Sequence, residues 1–233
     1  MSAIFKREFK SYFTTPVGFV FLAIYTFFLG LYFSLIYSYG SPDINNIIIA
    51  MSTIAAFTVP ILTMKLMSED RKQKTDQALL TAPVKLTGIV FGKFFAALAL
   101  FALAFTPTII FEVIVAAKIQ VNFTAYIYSL VGAVLLGAAL ISVGMFISSL
   151  TESPVISAIL ALVVNILVLY ISNFASLVKT EWIANVMRKI AFINAFESFG
   201  EEIISIPDIV YFLSITAAFV FLSVRSLEKR RWA

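Results

Sequence analysis

Charge is absent from this chain in long blocks. No Asp, Glu, Lys or Arg occurs from Ser11 to Pro42, Ile44 to Met64, Phe94 to Phe111, Ile119 to Thr151, Ser153 to Val178 or Ile209 to Val224. A helix crosses a bilayer with about 20 mostly apolar residues, and each block is that long or nearly so. The pattern predicts an all-α membrane protein with six transmembrane helices. Their approximate bounds are Val17–Tyr37, Ile44–Met67, Leu86–Ile110, Ala125–Ser149, Val155–Val178 and Pro207–Val224.

The charged breaks between the blocks are asymmetric. Lys118, Lys179, Arg188 and Lys189 fall on one side, and the other thirteen of the 17 Lys and Arg residues fall on the opposite side. Positive residues mark the cytoplasmic face, so the expected protein is multi-pass in the cell's inner membrane with both termini cytoplasmic. An even number of spans follows, and four or eight fit the block lengths worse than six. The basic start before an apolar run resembles a signal peptide. That run is long and no clean small-x-small site follows it, so it reads as an uncleaved first span.

Two segments outside the spans carry helical periodicity. Over Ser2–Thr14, Phe5, Phe9, Tyr12 and Phe13 recur at helical spacing, with Lys6, Arg7 and Lys10 between them. The periodic stripe suits an amphipathic interfacial helix better than a plain basic flank, with rings in the acyl boundary and cations near lipid phosphates. Between Lys179 and Ile206, Trp182, Val186, Ile190, Ile193 and Phe196 recur at threes and fours. This stretch is too polar to span and too apolar for a free loop, so a helix lying on or dipping into the outer leaflet is expected. Pro60 and Pro107 should each bend a span. Ala133, Gly137 and Gly144 share a face of the fourth span, with Gly132 and Ala138 nearby. Small residues let helices approach closely in lipid; packing within the chain accounts for them, and a subunit seam is the alternative.

Composition narrows the chemistry. The chain is 61% hydrophobic, with a mean hydropathy of +0.99, and its 233 residues read as one membrane domain. It has no Cys and no His, which removes the thiolate nucleophile and the commonest base and metal ligand. No catalytic residue, no metal site and no cofactor bound by this chain is expected. The net charge of +4 orients the protein in the membrane and does not point to nucleic acid. Gly88-Ile-Val-Phe-Gly92-Lys93 fails the phosphate-loop pattern, since Thr87 holds the first glycine position and Phe94 follows the lysine. Glu112 and Asn165 are the candidate pathway residues within spans. An intramembrane acid is a functional candidate by default, but Glu112 lies near the outer end of its span, where reaching the interface explains it equally. Asn165 lines a path or bonds across helices.

The link between spans two and three is the most informative segment. Met64-Lys65 follows Pro60, then come Glu69-Asp70-Arg71-Lys72, Thr75, Leu79-Leu80 and Pro83, and finally Gly92-Lys93. Mixed charge followed by an apolar pair and a proline stop predicts a short helix with a wet face and one apolar knob. This order resembles the permease subunits of type-2 ATP-binding-cassette exporters. The C-terminal Tyr211-Phe-Leu-Ser and the run from Arg225 to Trp232 resemble the gliding-motility and copper-maturation permease subgroup. Lys74 and Gln77 depart from the family's usual Gly and Glu.

The resemblance implies one permease domain over residues 1–233. It comprises an interfacial helix (1–15), spans 1–2 (17–67), a coupling helix (68–85), spans 3–5 (86–178), an outer helical loop (179–206), span 6 (207–224) and a cytoplasmic tail (225–233). It implies a second permease copy and a separate ATPase subunit that binds ATP and Mg. Glu69, Arg71, Lys72, Thr75, Leu79, Leu80 and Pro83 would contact that ATPase, together with the interfacial residues Phe5, Lys6, Arg7, Phe9 and Lys10. Spans 1 and 5 would meet near the dimer axis, and the outer loop would cap the exit. The cargo would be lipid-like, a glycan or a hydrophobic peptide, and an extracytoplasmic auxiliary subunit stays open. Two other readings compete: an ion-coupled secondary transporter, disfavoured by the sparse charge inside the spans, and a structural anchor of a motility or secretion complex.

Overall fold

The protein is described by a computed structural model over residues 2–39, 44–75, 85–118, 120–178, 180–200 and 205–231. Among these residues every regular element is helical. The helices are α1 (Ser2–Thr14), α2 (Pro16–Ser38), α3 (Ile44–Thr63), α4 (Ser68–Lys72), α5 (Leu86–Leu103), α6 (Thr106–Ala116), α7 (Phe123–Leu150), α8 (Pro154–Tyr170), α9 (Glu181–Ile190), α10 (Phe192–Gly200) and α11 (Ile206–Arg231). Among the described residues six helical stretches are long and apolar enough to cross a membrane, as the charge-free blocks predict. Span 1 is α2, span 2 is α3, span 3 is α5 with α6, span 4 is α7, span 5 is α8 with a 3-10 turn over Ile171–Leu177, and span 6 is α11.

Span 4 is the axis of the bundle and packs on spans 2, 3, 5 and 6. Its small residues make this possible, and they serve different neighbours. A methyl added at Gly137 would lie 2.1 Å from the Phe101 ring on span 3, and one at Gly144 would lie 2.4 Å from Thr63 on span 2. Packing within the chain therefore accounts for these positions. The Phe101 ring joins Phe21, Tyr25 and Phe105 in a fully buried aromatic cluster with centroids 5.3–6.3 Å apart. Offset and edge-on rings of this kind contribute about 0.5–1.5 kcal/mol per pair beyond their burial.

Several local expectations are corrected. Span 3 does not bend smoothly at Pro107; it breaks at Ala104 and Phe105, and Pro107 sits in the first turn of α6, where its missing N–H is harmless. Pro60 lies inside an unbroken α3. The outer loop is two helices split at Ala191. Trp182 stays 74% exposed on α9, but Phe192, Phe196 and Phe199 are fully buried, so α10 plugs into the protein instead of lying on the leaflet. Phe199 packs over Gly132 of span 4, and Phe192 meets Phe212 of span 6 edge-on at 5.7 Å, so burial of the rings favours the inward position. The described part of the link, 68–75, is not one continuous helix: α4 ends at Lys72, Lys74 turns the chain with φ 56°, and Thr75 is helical again. Leu79, Leu80 and Pro83 lie outside the described residues, as does Gln77.

Left-handed backbone strains any residue with a Cβ by about 1–2 kcal/mol, part of which glycine returns as unfolded-chain entropy. Lys74→Gly is expected to raise thermal stability in detergent by about 0.5–1 kcal/mol. A lower melting temperature would show that the Lys74 side chain itself holds the turn.

Candidate functional site: a buried ion-pair junction

Both chain ends and the link between spans 2 and 3 converge at one end of the bundle. The convergence rests on a lysine. Lys93 lies seven residues into α5, about two turns inside an apolar helix. A charge withdrawn from water is costly unless it is paired, so it needs partners. Lys93 is 2% exposed, and its Nζ lies 2.8 Å from Asp70 Oδ2 on α4 and 3.2 Å from Glu8 Oε1 on α1. Glu8 also accepts a hydrogen bond from Arg7 Nη2 at 3.0 Å, and Asp70 accepts one from Thr75 Oγ1 at 3.1 Å. One buried cation thus ties the N-terminal helix and the link to span 3.

The surrounding contacts fix that geometry. Gly92, next to the lysine, admits α1: an added methyl would stand 2.9 Å from the Ile4 side chain. Tyr12 is buried and donates to Leu62 O at 3.2 Å. Burial foremost, and the Glu8 carboxylate in addition, push its phenol well above the ordinary range, so it keeps its proton. On the other flank, the Met67 and Ser68 N–H groups donate to Ser148 Oγ at 3.1 and 3.0 Å, which satisfies the start of α4 from span 4. Arg71 donates to Ser149 O at 3.1 Å and pairs with Glu152 at 3.2 Å. Ser226 on span 6 donates to the same Ser149 carbonyl at 3.4 Å. A polar cavity of about 440 Å³ lies between α1 and the link, with Lys65, Glu69, Gln73 and Lys93 on its walls.

The structure separates the sequence-selected residues by role. Lys72 and Thr75 face water, while Glu69 is partly covered and pairs with Lys65 at 3.5 Å. Arg71, with its side chain 14% exposed, turns into the bundle. Lys6, Arg7 and Lys10 are exposed, but Phe5 and Phe9 are half-buried against the protein, so the aromatic stripe is shared between the bundle and the bilayer. Phe5 stacks on Phe9 at 5.8 Å. Glu112 is 4% exposed and covered by the side chains of the protein. Asn165 is fully buried, and both polar atoms of its amide lack a hydrogen-bond partner, so no bond across helices forms there.

Glu8, Asp70 and Lys93 were missed as a set. Signals for two of them were present. Glu8 falls among Phe5, Phe9 and Tyr12 on the apolar stripe of α1, and Lys93 lies two turns inside a span instead of at its end. A charge on an apolar face asks for a counter-charge, but only the fold says which. Among the described residues no group of His, Cys, Asp and Glu could hold a metal. Residues 1–206 match the protein family described as ABC-2 type transporter. No curated protein matches the chain.

Proposed function

The chain belongs to the ABC-2 type transporter family, and we propose that it is the permease subunit of an exporter driven by ATP hydrolysis on a separate subunit. As a member of that family it is an ABC-type permease of the multi-pass kind, whose work in general requires a partner ATPase. We place that ATPase beneath the basic end of the bundle, on the cytoplasmic side of the inner membrane, with both termini of this chain facing it. The chain itself carries out no hydrolysis, and ATP and Mg are held by the partner.

The observation that carries this reading is the buried Lys93 with its two carboxylates. A motor pressing on the link must pass force into helices that lie in lipid, which needs rigid contacts between discrete elements. Lys93 makes α1, α4 and span 3 one mechanical unit, and Arg71 with Ser148 extends it to span 4. Lys72 and Thr75 remain exposed on the wet side, where a partner can meet them. Spans 1 and 5 show exposed apolar faces through Phe27, Leu31, Ile159 and Val163, which suit a second copy of the permease. The resemblance to type-2 exporters, with the gliding-motility and copper-maturation subgroup nearest in pattern, supports a lipid-like, glycan or hydrophobic-peptide cargo.

Purification of the native protein in mild detergent tests the proposal. A subunit with a phosphate-binding loop is expected to accompany it, and ATP hydrolysis by the pair is expected to depend on this chain. Recovery of the permease alone, with transport that follows an ion gradient and ignores ATP, would favour the secondary-transporter reading and its buried Glu112.

A further inference from the structure

Two cavities open at the basic end of the bundle, and they differ in charge. The junction cavity balances Arg7, Lys65 and Lys93 against Glu8, Glu69 and Asp70. A second cavity, of about 390 Å³, lies between the link, the end of span 4 and the end of span 6. Arg71, Arg225, Lys229 and Arg230 line it, and among the described residues no carboxylate does. Two carboxylates pair with these cations from outside the lining, Glu152 with Arg71 at 3.2 Å and Glu228 with Arg225 at 2.6 Å. Lys229 makes no ion pair among the described residues.

Orientation in the membrane requires cations at this end, but it does not require them around one cavity. The fold gathers them, Arg71 from α4 and the other three from the last turns of span 6. The Ser149 carbonyl holds the walls together, accepting from Arg71 at 3.1 Å and from Ser226 at 3.4 Å. Apolar side chains of spans 4 and 6, Phe146, Leu150 and Leu222, supply the rest of the wall. A cleft of one charge sign with apolar walls concentrates the field inside it and draws in an anion. Guanidinium groups suit phosphate in particular, because their N–H fork matches its oxygens. Leu150 and Leu222 are exposed, so the cavity opens where the last apolar side chains of the two spans meet the first cations. That is the level of lipid phosphates, and basic pockets between spans hold such headgroups.

We propose that this second cavity binds a phosphate group between Arg71, Lys229 and Arg230, supplied by the headgroup of an anionic phospholipid. The site stands whether or not the exporter reading holds. Native mass spectrometry of the full chain, offered equal amounts of phosphatidylglycerol and phosphatidylcholine with identical acyl chains, tests it. Both lipids carry a phosphodiester, and phosphatidylcholine offsets its charge with a cation of its own. The wild type is expected to retain phosphatidylglycerol with about a tenfold preference. Lys229→Gln together with Arg230→Gln should bring the preference close to one. Arg188→Gln together with Lys189→Gln removes the same charge at the other end of the bundle and should leave the preference intact. If the Lys229 and Arg230 double variant gives no cooperative melt, Lys229→Gln alone, at an exposed position, should lower the preference about threefold. A second arm adds millimolar inorganic phosphate. A melting temperature that phosphate raises in the wild type but not in the Lys229 and Arg230 variant, with no lipid preference, would keep the phosphate site and assign it to a soluble source. Equal retention of the two lipids with no response to phosphate overturns the proposal. So does a preference that survives the Lys229 and Arg230 variant, or one lost as fully in the Arg188 and Lys189 variant, which would trace it to net charge alone.

Discussion

Lys93→Met is expected to lower the stability of the purified protein by about 3 kcal/mol and to uncouple ATP hydrolysis from transport. Removing one partner of a buried ion pair costs about 3–5 kcal/mol, because the remaining charge is left uncompensated. Here two carboxylates are left, pressed against the space of one lost nitrogen, with side-chain exposures of 14% for Glu8 and 18% for Asp70. That residual hydration keeps the expected loss at the lower end of the range. Thermal melts in detergent measure the first effect. Neutralising all three positions together, as Glu8→Gln, Asp70→Asn and Lys93→Met, should restore most of the stability, since no buried charge then lacks a partner. Coupling should stay impaired in the triple variant, because amide contacts to a methionine no longer lock α1 and the link to span 3. A single Lys93→Met protein that melts and couples like the wild type would remove the junction from the mechanism.

Gly18→Ala should have the second largest effect, for a steric reason. The chain turns between α1 and span 1 so tightly that a methyl at Gly18 would stand 2.3 Å from the Tyr12 carbonyl oxygen. The obstacle is backbone, so no side-chain rotation relieves it. Overpacking of this sort costs about 1–3 kcal/mol, and α1 is the element free to move. It is expected to lift from span 3, breaking the Tyr12 bond to Leu62 and exposing Lys93. Limited proteolysis near Lys6 and Lys10 reports the lifting, and a melting temperature lowered by several degrees reports the lost contacts. A variant whose α1 stays protected would mean that the elbow has slack, and that the Lys93 ion pairs alone hold the helix.

The two variants probe one assembly from different sides, and they show why the sequence conveyed only half of it. The apolar stripe of α1 was readable, because Phe5, Phe9 and Tyr12 repeat at helical spacing. Its target was not. The same stripe suits a lipid surface or a protein groove, and the choice depends on Gly92 and Gly18 leaving room for α1. The charges of the link were likewise readable as a wet segment, yet Asp70 and Arg71 both point into the bundle. Residues adjacent in a five-residue helix face opposite neighbours, and mixed charge in sequence does not say which of them stays in water.

What the sequence determined alone was the membrane architecture: six apolar stretches, their order, and the excess of cations at one end. These follow from the cost of placing charge and unpaired backbone in hydrocarbon, which acts on each segment separately. Lateral packing decided the rest. Span 4 became the axis, α10 sank into the bundle, and Lys93 found carboxylates on elements 85 and 23 residues away in the chain, at Glu8 and Asp70. Apolar matching cannot choose neighbours in lipid, since the tails are as apolar as leucine; close fits at small residues and a few buried charges choose them, and both exist only once the helices have met.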